Sequence, residues 1–146
     1  MKKLLLSAFC AFSAVIPAYS QLYDTSQLVN NIAIASGGSS NVAAVVGCTR
    51  YDEFALQINF KLMASGTDPV TFTWCTSNDG VTYCTTGSGQ GTFTVAANGT
   101  TPVVFTTNMV MNSVGYFQIS SIAGSTNAIT TNLTVNAFFK PRKRGP

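Results

Sequence analysis

Phe54-Ala55-Leu56-Gln57-Ile58-Asn59-Phe60-Lys61-Leu62 alternates large apolar residues with small or polar ones over nine positions. Successive side chains of an extended chain point to opposite faces, so this spacing predicts a strand that buries Phe54, Leu56, Ile58, Phe60 and Leu62 together. The same period of two returns in Val70, Phe72 and Trp74 against Thr71, Thr73 and Cys75, and in Ile129, Thr131, Leu133, Val135, Ala137 and Phe139. Weaker strand signals cover Gln27 to Ala35, Val42 to Cys48, Gly80 to Thr86, Thr92 to Ala96, Val103 to Thr107 and Val114 to Ile122. Between them stand turn-forming clusters such as Ser36-Gly37-Gly38, Gly66-Thr67-Asp68-Pro69, Asn98-Gly99 and Gly124-Ser125. Seven to nine short strands at this spacing, with no amphipathic helix among them, predict an all-β antiparallel sandwich.

Composition agrees with strands and narrows the chemistry. Of 146 residues, 46% are hydrophobic and 9% charged, so Thr, Ser, Asn and Gln must keep the surface wet. There is no histidine, and Asp24, Asp52, Glu53, Asp68 and Asp79 are the only carboxylates. The usual general base and the commonest metal ligand are therefore both missing. Asp52 and Glu53 are adjacent at the start of the strongest strand, which sends them to opposite faces rather than into a catalytic pair. No Ser or Thr stands in a nucleophile-elbow pattern, and the glycines from Gly87 to Gly91 do not open a helix as a phosphate cradle would. These absences predict no enzyme, no cofactor and no metal site.

Both ends read separately from the body. Lys2 and Lys3 precede the apolar run Leu4 to Ile16, and Ala18-Tyr19-Ser20 places small residues where a signal peptidase reads. That pattern predicts a signal peptide over residues 1–20 and a secreted or surface location. The apolar run is too short to span a bilayer, which needs about 20 residues. At the other end, Lys140, Arg142, Lys143 and Arg144 predict a basic tail over residues 140–146. Without interleaved aromatics it reads as a solubilising end rather than a specific nucleic-acid contact. The sandwich domain is then expected over residues 21–139, where Arg50 and Lys61 stand against five acids.

Cysteines add a further expectation. If Asp79-Gly80 forms a two-residue hairpin turn, Cys75 faces Cys84 in a non-hydrogen-bonded pair, where opposed side chains come closest. An exported protein would then carry a Cys75–Cys84 disulfide, worth about 2.7 kcal/mol in the chain-entropy account. Cys48 is left over as an unpaired thiol, either buried or available to link two chains into a homo-oligomer. Asn98-Gly99-Thr100 and Asn132-Leu133-Thr134 fit the N-glycosylation pattern.

The stretches Val70-Thr-Phe-Thr-Trp74, Ser77-Asn78-Asp79-Gly80-Val81-Thr82-Tyr83, Gly91-Thr-Phe-Thr-Val95, Gly115-Tyr-Phe-Gln-Ile119 and Ala128-Ile-Thr-Thr-Asn-Leu-Thr-Val135 together resemble small immunoglobulin-like β-sandwich proteins of tailed-phage virions and bacterial genomes. The likeness covers about residues 54 to 139 and implies an immunoglobulin-like fold in a virion or cell-envelope component. A signal peptide departs from the virion pattern, since virion parts usually assemble in the cytoplasm. Gly115-Tyr116 looks like a tyrosine corner, but Gln118 stands where antibody-type domains carry a cysteine, so no inter-sheet disulfide is expected. The functional expectation is a non-catalytic, exported structural or adhesive module whose partner is a protein assembly. The alternative is a carbohydrate-binding module, with Tyr51, Trp74, Tyr83 and Tyr116 as a platform for a surface glycan.

Overall fold

The computed structural model describes residues 24–49, 51–85, 89–110 and 115–141. The expected signal peptide and the tail positions Arg142, Lys143 and Arg144 lie outside the described residues. Eight strands form the domain: β1 (Asp24–Ile34), β2 (Ser39–Gly47), β3 (Tyr51–Leu62), β4 (Val70–Ser77), β5 (Gln90–Val95), β6 (Val103–Val110), β7 (Tyr116–Ala123) and β8 (Thr130–Pro141). They make two antiparallel four-stranded sheets, in the orders β1-β8-β3-β6 and β2-β7-β4-β5. The antiparallel sandwich expected from the alternating pattern is the fold of the chain.

Its connectivity follows from which sheet each strand joins. Every connection except β4–β5 passes from one sheet to the other. This is the double Greek key of an eight-stranded jelly roll. Antibody-type sandwiches keep their first two strands in one sheet, whereas here β1 and β2 lie in opposite sheets.

The inward positions of β3 decide where the core sits. Phe54, Leu56, Ile58, Phe60 and Leu62 are all buried, as are Leu133, Val135, Ala137 and Phe139 of the neighbouring β8. Opposite them stand Val70 and Phe72 of β4 and Phe117, Ile119 and Ile122 of β7. Each of these side chains larger than alanine contributes about 1.5–3 kcal/mol by leaving water. Phe54 meets Phe117 edge-on across the two sheets at 5.0 Å between ring centroids.

The connections are pinned by backbone hydrogen bonds. Gly37, at φ +66, donates to the Ser125 carbonyl at 2.9 Å, tying the β1–β2 turn to the β7–β8 loop. Gly99 N–H donates to the Gly66 carbonyl at 2.8 Å and so joins the β5–β6 turn to the β3–β4 loop. Buried Thr130 accepts from the Ser125 N–H through its hydroxyl at 3.2 Å. One lateral opening of the sandwich is closed where β1 packs beside β2, while β5 and β6 do not approach each other to the same extent among the described residues.

Candidate functional site

The sequence places its densest set of candidate groups between Trp74 and Gly91, and here the structure departs from the expected hairpin. Residues 80–85 form no strand; β4 pairs instead with β5, so that Cys75 faces Gln90, Trp74 faces Gly91 and Phe72 faces Phe93. Two local causes select this register. A Cβ at Gly91 would stand 2.7 Å from the Trp74 indole, so the ring lies over a position that only glycine leaves open. In the expected register a threonine, Thr85, would have faced Trp74.

The second cause is the acidic side chain itself. Asp79 Oδ1 accepts the N–H groups of Val81 and Thr82, both at 2.8 Å, and the Ser77 hydroxyl at 2.7 Å. Ser77 Oγ in turn accepts the Gly80 N–H at 3.0 Å. Asp side chains compete for backbone donors in this way and bend the chain into an Asx turn instead of a two-residue hairpin. The Thr82 and Val81 N–H groups, followed by the Ser77 hydroxyl, hold the Asp79 carboxyl well below the usual carboxylate range. Gly80, at φ +75, lies against the Tyr116 ring.

Beyond the turn, Cys84 donates its N–H to the Thr76 carbonyl at 2.9 Å, which lays residues 81–85 alongside the end of β4. The structure holds Cys48, Cys75 and Cys84 as free thiols. Cys75 is buried and its Sγ–H donates to Gln118 Oε1 at 3.4 Å, while Cys84 is exposed. Burial pushes the Cys75 thiol up, and it pushes Cys48 up to about 11. Tyr83 Oη and Gln90 Oε1 are buried without a hydrogen-bond partner among the described residues, and burial raises the Tyr83 phenol.

The four expected aromatics do not share a face. Tyr51 packs on Phe139 in a tilted pair with ring centroids 4.7 Å apart and donates its hydroxyl to Asp24, bracing β3 against the start of β1. Trp74 lies parallel to the buried Phe117 at 6.0 Å and packs on the core. Tyr83 and Tyr116 are half-buried beside the Asx turn. A sugar platform needs several rings exposed on one surface, and the structure does not bring these four together.

The expected basic tail is also revised at its first residue. Lys140 belongs to β8, where strand pairing runs on to Pro141, and its ammonium meets Glu53 at 3.0 Å. The pair borders a shallow depression of about 260 Å³ on the outer face of β3, β6 and β8, with Ala55, Asn108 and Phe138 on its floor and walls. Among the other acids, Asp68 accepts the Thr126 hydroxyl and Asp24 accepts that of Tyr51. Asp24, Glu53, Asp68 and Asp79 thus serve four separate contacts, and no group of three metal-ligating side chains occurs among the described residues. No helix among the described residues is long and apolar enough to cross a membrane.

Similarity to known proteins lies in the fold. No protein-family profile matches the chain, and no curated protein sequence matches it. Among solved structures, a chain of the infectious bursal disease virus Gx strain superposes with a TM-score of 0.51 at 8% identity, covering 84% of this chain and 33% of that one. A chain of the T13 particle of the same virus gives 0.50 at 11% identity, covering 82% and 32%. This protein spans about a third of the length of those viral chains. A chain from the disulfide-linked pili of Bacillus endospore appendages gives 0.33 at 18% identity, covering 82% and 91%.

Proposed function

We propose that this chain is a non-catalytic, exported structural or adhesive module of a virion or cell-envelope assembly. The observation that carries this reading is the use of its few charged groups. The described carboxylates pin strands and turns instead of converging, and what the domain presents outward is strand faces and strand edges wetted by Thr, Ser, Asn and Gln. Shape and main-chain edges are recognition surfaces in their own right. The viral-particle chains noted above share the jelly-roll sandwich and lend the reading support at the level of architecture.

Fractionation of cells producing the full chain from its own leader tests it. The protein is expected in the particle, envelope or extracellular-assembly fraction with residues 1–20 removed. Recovery only in the cytoplasm, or only as a dispersed protein in the medium, would overturn the reading.

A further inference from the structure

We propose that β6 is a self-pairing edge through which two copies of this chain join their sheets. The inference rests on the structural-module reading and names its partner: a second copy. β6 lies at the edge of its sheet and pairs with β3 alone, through eight consecutive residue pairs from Glu53–Val110 to Phe60–Val103 without a register shift. Its far side therefore presents a straight row of backbone donors and acceptors about 27 Å long.

Proteins ordinarily blunt such an edge with a charge, a proline, a bulge or brevity. The other three edges each carry one of these devices. β1 begins at Asp24, shifts register three times and holds Asn31 at φ 48. β2 shifts between Asn41 and Ala44, and β5 is six residues long. β6, Val103-Val-Phe-Thr-Thr-Asn-Met-Val110, contains no charged residue, and Pro102 stands before its first paired position. Val104, on the outer face, is 67% exposed.

Charge selects a second copy as the occupant. Across a two-fold axis an antiparallel copy sets the central residue opposite its own image and each other residue opposite one equally far from the axis, so a charge near the centre of the strand would face its own copy. In β6 the residues that would meet are Val, Phe, Thr, Asn and Met. Side chains also favour completion of the sheet at this edge. Val103, Phe105 and Met109 point inward but are only partly buried, beside the opening that β5 and β6 leave between them. An antiparallel copy of β6 would cover their open flank and extend the sheet to eight strands.

The test is sedimentation of the purified, leader-free chain across a wide concentration range, with hydrogen exchange followed over residues 103–110. Reversible dimerisation is expected, with slowed amide exchange in that segment at high concentration. Val104→Lys combined with Thr106→Lys should weaken association by at least about tenfold through like-charge apposition. Ala43→Lys on the edge strand β2 should leave it unchanged. Circular dichroism of each variant checks folding, and the exchange comparison on the unmodified chain requires no variant. A monomer at every concentration, or a dimer indifferent to the β6 lysines but dissolved by Ala43→Lys, overturns the proposal. An assembly-associated protein that dimerises elsewhere would sink this interface while the module reading stood.

Discussion

Gly91 stands directly across the ladder from Trp74, and a Cβ there would come within 2.7 Å of the indole Cζ2. The pair sets the β4–β5 register and seats the indole against Phe117. Gly91→Ala is therefore expected to push the ring off its seat and to cost about 1–3 kcal/mol as an overpacking change. Denaturant unfolding measures the loss, and a red-shifted tryptophan emission reports the displaced ring. Trp74 is the only tryptophan, so the signal has one source.

Asp79 gives the turn a pH dependence with a definite sign. Its carboxyl is held below its unfolded value, so the ionised form supports the fold above the ordinary carboxylate range, and this support fades as pH falls through the lowered native value. From about pH 4 downward, Asp79→Asn should show a flatter loss of stability than the unmodified protein. A carboxyl-carbon titration by NMR that placed Asp79 at the ordinary aspartate value would remove the effect.

The thiols should separate by reactivity. In the reduced, folded protein Cys84 is expected to alkylate quickly, Cys75 slowly and Cys48 slowest, because burial keeps its thiol protonated up to about 11. Timed alkylation with peptide mapping checks the order. In an oxidising compartment we propose a Cys75–Cys84 bridge, since the Cys84 N–H already bonds the carbonyl of Thr76, next to Cys75. Its mark is an intact mass lower by two hydrogens. Two alkylatable thiols at these positions in the denatured, unreduced protein would exclude it.

Core and surface contacts should differ sharply in weight. Leu56→Ala removes a fully buried side chain and is expected to cost about 2–5 kcal/mol. Lys140→Ala removes an ammonium from the exposed pair with Glu53 and should cost at most about 1 kcal/mol, less in high salt. Chemical denaturation of the two variants side by side, at low and high ionic strength, makes the comparison.

How much of this was legible in the sequence depends on whether the deciding force is local. The inward face of β3 from Phe54 to Leu62 and that of β8 from Leu133 to Phe139 follow from a strict period of two and are buried, but Asn132 at φ 54 breaks the alternation, so that Thr130 is buried and Ile129, expected on the inward face, is 41% exposed. The jelly-roll order does not follow from it, because alternation states which face is wet and not which strand lies alongside. Between Ser77 and Gly91 the sequence signal pointed the other way: Asp-Gly favours a tight hairpin, but the Asp79 side chain takes the backbone donors first. Lys140 read as part of a basic cluster because charge runs are conspicuous, whereas continued pairing with β3 is a tertiary fact. Of the candidate aromatics, parity places Trp74 inward correctly; the separate duties of Tyr51, Tyr83 and Tyr116 depend on neighbours distant in sequence.

Pairing of Asp24 with Phe139 puts the first and last strands of the domain side by side, so the flanking segments leave from the same pole. A short peptide joining Phe139 back to Asp24 would close the chain into a ring without disturbing either sheet. New ends cut at Asn98-Gly99, in the loop at the opposite pole, would yield a circular permutant with the same ladders. In a row of fused copies, each domain would hang from the linker by one end like a bead on a stalk, its far loops turned outward.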